Sequence, residues 1–187
     1  MGLDLFRGWR AMLLPLAGAA LGALGALLYP HYWAIAIVWA VPLSLPLKRD
    51  HMVILAAMIA VRWLLLDTIP QAGVWAAYIA IQTVPRAALI AIAWTSRPAG
   101  LGAAHQLCST LSTRIALPAV LMGAAAAFAV GVRCGLLMIL GNYILIRAIR
   151  WLSYRRSSGI DGYSLVFTQT FSELLCLWIA GCLFCRL

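Results

Sequence analysis

The chain has 187 residues, of which 65% are hydrophobic and only 10% are charged, and its mean hydropathy is +0.97. This composition excludes a soluble globular domain and indicates an integral membrane protein. Fourteen basic residues against five acidic ones give a formal net charge of +9. In a soluble protein this charge would suggest nucleic acid, but the arginines here flank apolar segments, so membrane orientation explains them and no nucleic-acid partner is predicted.

Seven apolar segments approach the length of about 20 residues that a helix needs to cross the hydrocarbon core. The predicted spans, in chain order, are 11–29, 31–47, 52–68, 73–95, 115–132, 134–152 and 163–185. The second and third spans are short, and Pro42 and Pro46 interrupt the second, so these two could instead form a tilted or re-entrant hairpin. The sequence therefore predicts an all-α, polytopic helical bundle that forms a single membrane domain over residues 1–187.

The distribution of positive charge predicts the orientation of this bundle. If the N-terminus is cytoplasmic, ten arginines and lysines lie in cytoplasmic loops and two, Arg133 and Arg186, lie on the far side. Because cytoplasmic loops carry the excess of positive charge, a cytoplasmic N-terminus is predicted. In the first span, Gly18 and Gly22 have the four-residue spacing that lets two helix backbones approach closely, within the chain or in a dimer.

Three charged residues fall inside predicted spans. Arg62, Arg86 and Glu173 each lie nine or ten residues from the cytoplasmic end of their span, which places all three about 15 Å deep. A lone charge at that depth costs at least about 2.5–3.5 kcal/mol on insertion scales. We therefore predict that Glu173 pairs with Arg86, Arg62 or both, facing one another or a wet cavity. A structural ion pair that only fixes helix register is the alternative.

Two cytoplasmic loops combine basic residues with glycine turns. The first, "TSRPAGLGAAHQLCSTLSTR", contains Arg97, and the second, "SYRRSSGIDGYS", joins Arg155 and Arg156 to Gly159 and Gly162, which can adopt positive φ. Such loops suit an anionic ligand that carries phosphate. Positive-inside charge, ordinary turns and phospholipid headgroups are the alternative explanation.

Two stretches of the chain resemble the cobalamin synthase family, whose members are multi-spanning enzymes. The stretch "GIDGYSLVFTQTFSELL" is similar to the C-terminal signature of the family, and "VPRAALIAIAWTSRPAGLGAA" is similar to an arginine-bearing span followed by an Arg-Pro-x-Gly-Leu-Gly loop. The matching residues are Arg86, Arg97, Pro98, Gly100, Leu101, Gly102, Gly159, Gly162 and Glu173.

The resemblance implies an activity and a set of site residues. It implies transfer of adenosylcobinamide phosphate from its GDP ester to α-ribazole or its phosphate, with release of GMP and help from Mg²⁺, in the bacterial cytoplasmic (inner) membrane. A corrinoid or nucleotide-phosphate ligand and membrane lipids are the implied partners. The candidate ligand-binding residues are Arg86, Arg97, Gly100, Gly102, Gly159 and Gly162 from the matching motifs, together with Arg62 from the intramembrane charges.

The acidic residues depart from the family pattern. Tyr163 stands where the pattern has an aspartate, Thr170 stands where it has its first glutamate, and "PLKRDHMV" occupies the place of a long acidic motif. The remaining candidates for catalysis are Asp161, Glu173 and Asp50, with Asp161 and Asp50 as candidate Mg²⁺ ligands. Because Mg²⁺ in phosphoryl-transfer sites is held by carboxylates and substrate oxygens, we expect the fold to be retained and the activity to be impaired.

Three functions remain open at this point. The chain could be a minimal Mg²⁺-dependent transferase, or a non-catalytic subunit for binding or assembly, as a homo-oligomer or in a larger membrane complex. A small transporter that uses the level of Arg62, Arg86 and Glu173 is the third, but the sequence contains no inverted repeat to support it.

Overall fold

The computed structural model describes residues 8–29, 31, 35, 60–69, 73–100 and 103–184. A 3₁₀ helix, Gly8–Leu13, leads into α1 (Leu14–Leu27). A short helical segment, 60–66, precedes α2 (Val74–Trp94). The remaining helices are α3 (Ala103–Thr110), α4 (Thr113–Ala129), α5 (Val132–Ser157) and α6 (Gly162–Phe184). The described residues form helices and no strand, which confirms the predicted all-α class.

Three of these helices are long and apolar enough to cross a membrane: α2, α5 and the Gly162–Cys182 part of α6. The helices Ala104–Thr110 and Thr113–Ala129 meet at 104° and would add a fourth if the bent pair forms one span. The segment Ala11–Leu27 is apolar but shorter. The predicted span 31–47, apart from residues 31 and 35, and residues 52–59 of the predicted span 52–68 lie outside the described residues. The count of seven spans and the cytoplasmic N-terminus therefore stay predictions.

The stretch between the fourth and fifth predicted spans was expected to be a loop, and it contains the helix α3 instead. Ala104 and Leu107, three residues apart, are buried, while His105 and Gln106 are exposed. Residues spaced by three lie on one helix face, so a polar-looking stretch forms a short amphipathic helix here. Leu111 and Ser112 then break the helix before α4 begins.

Helix α2 lies at the centre of the bundle. Helices α1, α4 and α6 all pack against it, and every residue from Ile81 to Ile90 is buried. Most of the residues of α2 are apolar, so the helix has no continuous polar face that needs water. The charged Arg86 is therefore carried in the most enclosed element of the described fold, at only 5% exposure.

The glycine pair in α1 packs against α2 within the same chain. A Cβ atom on Gly18 would collide with the Gln82 carbonyl oxygen and would lie 2.9 Å from Cδ of Arg86. A Cβ on Gly22 would collide with the Tyr78 carbonyl oxygen and would lie 2.6 Å from Cα of Ile79. The close approach predicted from the spacing is confirmed, and this glycine face is occupied by α2.

We predict that Gly22→Ala lowers the free energy of unfolding by about 1–3 kcal/mol, because the new methyl group meets backbone atoms that cannot move aside. The measurement is the unfolding midpoint of the protein in detergent. Gly100→Ala is the matched control, since no atom lies within 4 Å of a Cβ at that position. Equal midpoints for the two variants would show that α1 does not pack on α2 in this way.

Candidate functional site

The charged residue of α6 is paired inside the bundle. Nη2 of Arg62 donates to Oε2 of Glu173, and both residues are fully buried. The second carboxylate oxygen, Oε1, accepts a hydrogen bond of 3.3 Å from Nε2 of Gln169, one turn earlier on α6. The predicted pairing of Glu173 with Arg62 is confirmed. Pairing offsets the cost of at least about 2.5–3.5 kcal/mol that each lone charge would carry in the membrane interior.

Arg86 lies near this pair but is held by its own helix. Its Nη1 donates to the backbone oxygen of Gln82 at 2.5 Å and to Oε1 of the same side chain at 2.6 Å. The charges of Glu173 and Arg62 both act on Arg86, so the three groups are within electrostatic range of one another. The three predicted intramembrane charges thus come together, with Arg62 rather than Arg86 in direct contact with the carboxylate.

Several buried polar atoms around the ion pair have no hydrogen-bond partner among the described residues. They are Nε and Nη1 of Arg62, Nε2 of Gln82 and Oγ1 of Thr170. Thr170 precedes Glu173 by three residues and therefore shares its face of α6. Buried polar groups are nearly always satisfied in folded proteins, so this local excess of donors needs an explanation.

Asp161 caps α6. Its Oδ1 accepts hydrogen bonds from the backbone N–H of Ser164 at 2.8 Å and from the hydroxyl of Ser164 at 2.6 Å. The hydroxyl of Ser164 also contacts that of Ser153 on α5 at 2.7 Å. An aspartate at this position satisfies a free N–H of the first helical turn, so Asp161 has a structural role here.

The candidate acids do not meet. Asp161 lies just before α6 and Glu173 lies twelve residues later, which separates their backbones by about 18 Å. Asp50 lies outside the described residues. Within the described ranges, no group of three His, Cys, Asp or Glu residues could hold a metal ion. Two guanidinium groups beside Glu173 also repel a cation, so the described residues do not fit Mg²⁺.

The two glycine-bearing loops are joined by backbone hydrogen bonds. The N–H of Ile160 donates to the Arg97 oxygen at 2.8 Å, and the N–H of Ala99 donates to the Ile160 oxygen at 2.9 Å. The hydroxyl of Tyr154 accepts from the N–H of Arg97 at 2.8 Å. We call this contact between residues 97–99 and 159–160 the loop clasp.

The loop clasp brings four of the predicted ligand-binding residues, Arg97, Gly100, Gly159 and Gly162, into one region of the fold, where Gly159 is buried. The side chain of Arg97 is exposed, and the space beside Gly100 and Gly162 is open. Gly159 is different, because a Cβ there would lie 2.7 Å from the Arg97 oxygen. Gly102 lies outside the described residues.

Gly159 and Gly162 do not use the positive φ that glycine allows. Among the described residues of this turn, Ser158 adopts the left-handed conformation, with φ of 58°, and it ends α5. Gly159 is required instead by the close approach of the backbone of residues 97–99. The second loop is therefore packed against the backbone of the first loop.

The polar partners of the intramembrane charges were not among the predicted site residues. Gln82 and Gln169 each precede a charged residue by four positions, which is the spacing of side chains that interact on one helix face. The four-residue spacing in the sequence therefore indicates that each glutamine can contact the charged residue that follows it. A second missed contact joins α5 to α6, where the hydroxyl of Ser172 donates to Oδ1 of Asn142.

We predict that Glu173→Met destabilises the protein by about 3–5 kcal/mol, because it leaves two buried guanidinium groups without a carboxylate. Arg62→Met should cost less, since Arg86 remains near Glu173. The double variant should be more stable than Glu173→Met alone. The measurement is a double-mutant cycle on unfolding in detergent, and additive losses would contradict the ion pair.

Comparison with known proteins identifies a family. The family model described as cobalamin-5-phosphate synthase matches residues 52–181, which is most of the chain and includes the ion pair and the loop clasp. No curated protein and no solved structure matches the chain. The match confirms the resemblance drawn from the sequence motifs.

Proposed function

Because this chain belongs to the cobalamin-5-phosphate synthase family, we propose that it is a multi-pass protein of the bacterial cytoplasmic membrane that takes part in cobalamin assembly with little or no catalytic activity of its own. The observation that carries the proposal is the hydrogen bonding of the Glu173 carboxylate. Both of its carboxylate oxygens already accept hydrogen bonds, one from Arg62 and one from Gln169. A carboxylate in this state is a poor metal ligand and a poor proton acceptor.

The other acids support the same conclusion. The transfer implied by the family joins the phosphate of an activated corrinoid to a ribazole hydroxyl and releases GMP. Such a reaction needs cations to neutralise the charge that develops on phosphorus and its leaving group. Mg²⁺ would supply that charge when bound, but Asp161 uses Oδ1 to cap α6 and lies about 18 Å along the helix from Glu173. Asp161 and Asp50 together could supply at most two carboxylates.

Binding of a ligand can persist where catalysis does not. The loop clasp holds the exposed Arg97 beside the open space at Gly100 and Gly162. An exposed guanidinium group beside open space is suited to a phosphate group. We therefore assign the loop clasp to binding of a nucleotide-phosphate or corrinoid-phosphate ligand, which also fits a role as a non-catalytic subunit of a membrane complex.

The proposal predicts no Mg²⁺-dependent release of GMP when the purified protein in detergent is given adenosylcobinamide-GDP and α-ribazole. The wild-type protein should release GMP at the same rate as Asp161→Asn, a variant that retains a capping side chain but lacks the carboxylate. Robust turnover that Asp161→Asn abolishes would refute the proposal and would establish a minimal transferase.

Adenosylcobinamide-GDP should nevertheless bind. Arg97→Gln should weaken binding by about tenfold or more, because a hydrogen bond to a charged group contributes about 1.5–3 kcal/mol. Equilibrium dialysis measures the affinity. Arg133→Gln is the matched control, since Arg133 is an exposed arginine on the predicted far side. Equal affinities for the two variants would remove the loop clasp from the binding site.

A further inference from the structure

The polar residues at the centre of the bundle carry more positive than negative charge. We call Arg62, Gln82, Arg86, Thr170 and Glu173 the cationic cluster; all five are buried, with exposures of 5% or less. Arginine stays protonated in proteins, so the two guanidinium groups are balanced by one carboxylate at most. The cluster therefore has a charge of at least +1 in an enclosed, apolar setting.

The cluster also has more donors than acceptors. Arg62 uses one of its three nitrogens for Glu173, which leaves Nε and Nη1 without an acceptor. Gln82 uses its amide oxygen for Arg86, which leaves its Nε2 without one. The hydroxyl of Thr170 is unpartnered on the same face of α6 as Glu173. Three of these four atoms belong to groups that can only donate.

We propose that the cationic cluster binds a small oxyanion, a phosphate group or its equivalent, where α2, α6 and the segment 60–66 meet. An oxyanion supplies both of the missing quantities, negative charge and acceptor oxygens, to groups that are already buried. A water molecule would supply acceptor capacity but would leave the charge unbalanced. A metal cation would add to the excess charge and could not accept a hydrogen bond. Guanidinium groups pair particularly well with phosphate.

This site is separate from the loop clasp and does not rest on the proposed function. Glu173 lies eleven residues into α6, about 16 Å along the helix from Gly162, where the second loop ends. Two sources could provide the same phosphate chemistry, namely free phosphate from solution and the headgroup of an anionic lipid. Both would contact the same donors, so the experiment has one arm for each source.

The test measures the thermal unfolding midpoint of the delipidated full-length chain in neutral detergent. One arm titrates sodium phosphate against sodium chloride at equal ionic strength. The other titrates dihexanoyl-phosphatidylglycerol against dihexanoyl-phosphatidylcholine. We expect a saturable rise of about 5 °C or more, at a hundredfold excess over Kd, in at least one arm. The responding arm identifies the source, and a wild-type protein that responds in neither arm overturns the proposal.

Variants at Thr170 connect the response to the cationic cluster. Thr170→Asp introduces a carboxylate one turn from Glu173, so it should replace the bound anion and abolish the rise. Thr170→Asn has the same shape without the charge and should retain the rise. If Thr170→Asp does not fold, Arg86→Met lowers the charge of the cluster by one and must likewise abolish the rise. Equal responses from wild type and the variant that lowers the charge would overturn the proposal.

A surface control excludes binding elsewhere on the basic protein. Arg147→Gln removes an exposed arginine of α5 and should leave the response unchanged. A response that Arg147→Gln abolishes would place the anion on the surface and would contradict the buried site.

Discussion

A charge cannot be left alone in the interior of a membrane bundle, and the arrangement of the central helices follows from this constraint. Glu173 on α6 is paired with Arg62 from the segment 60–66, and Arg86 on α2 is bonded to Gln82 within electrostatic range of both. A slide or rotation of either element would separate a buried charge from its partner. Breaking such a pair is expensive even where forming it contributes little, so the pair specifies the register of the helices more than it stabilises them.

Small residues make this arrangement possible. Gly18 and Gly22 let α1 lie directly on the backbone of α2, and Gly18 is in contact range of the Arg86 side chain. On the other side of α2, Gly123 of α4 faces Ala87. Arg86 is thus enclosed by neighbours that leave it little freedom, and its guanidinium group turns back along its own helix to Gln82. Packing and electrostatics therefore define one site together, because the glycines that bring the helices close also exclude water from the charges.

The parts of this structure that follow from local pattern could be predicted from the sequence. Hydropathy predicts α2, α5 and α6 with bounds close to those observed, and depth alone brings Glu173, Arg62 and Arg86 to one level. Whether Arg62 or Arg86 contacts Glu173 depends on the rotation of α2 about its axis. The hydropathy pattern does not determine that rotation. The cap at Asp161 follows from local pattern, because an aspartate directly before an apolar helical segment is a typical N-cap. The backbone pairing of residues 97–99 with Ile160 depends on the tertiary fold and could not be predicted.

The ion pair between Glu173 and Arg62 is the central feature of this site, because it occupies a carboxylate that would otherwise be open to a metal or a substrate. Its most direct test is the thermal unfolding midpoint of the charge-exchanged protein, Arg62→Glu with Glu173→Arg, beside those of the two single variants. If the two side chains are partners, each single variant should unfold at a much lower temperature than the wild type, and the exchange should recover a large part of the loss. Single variants as stable as the wild type, or an exchange no more stable than the weaker single variant, would contradict the account.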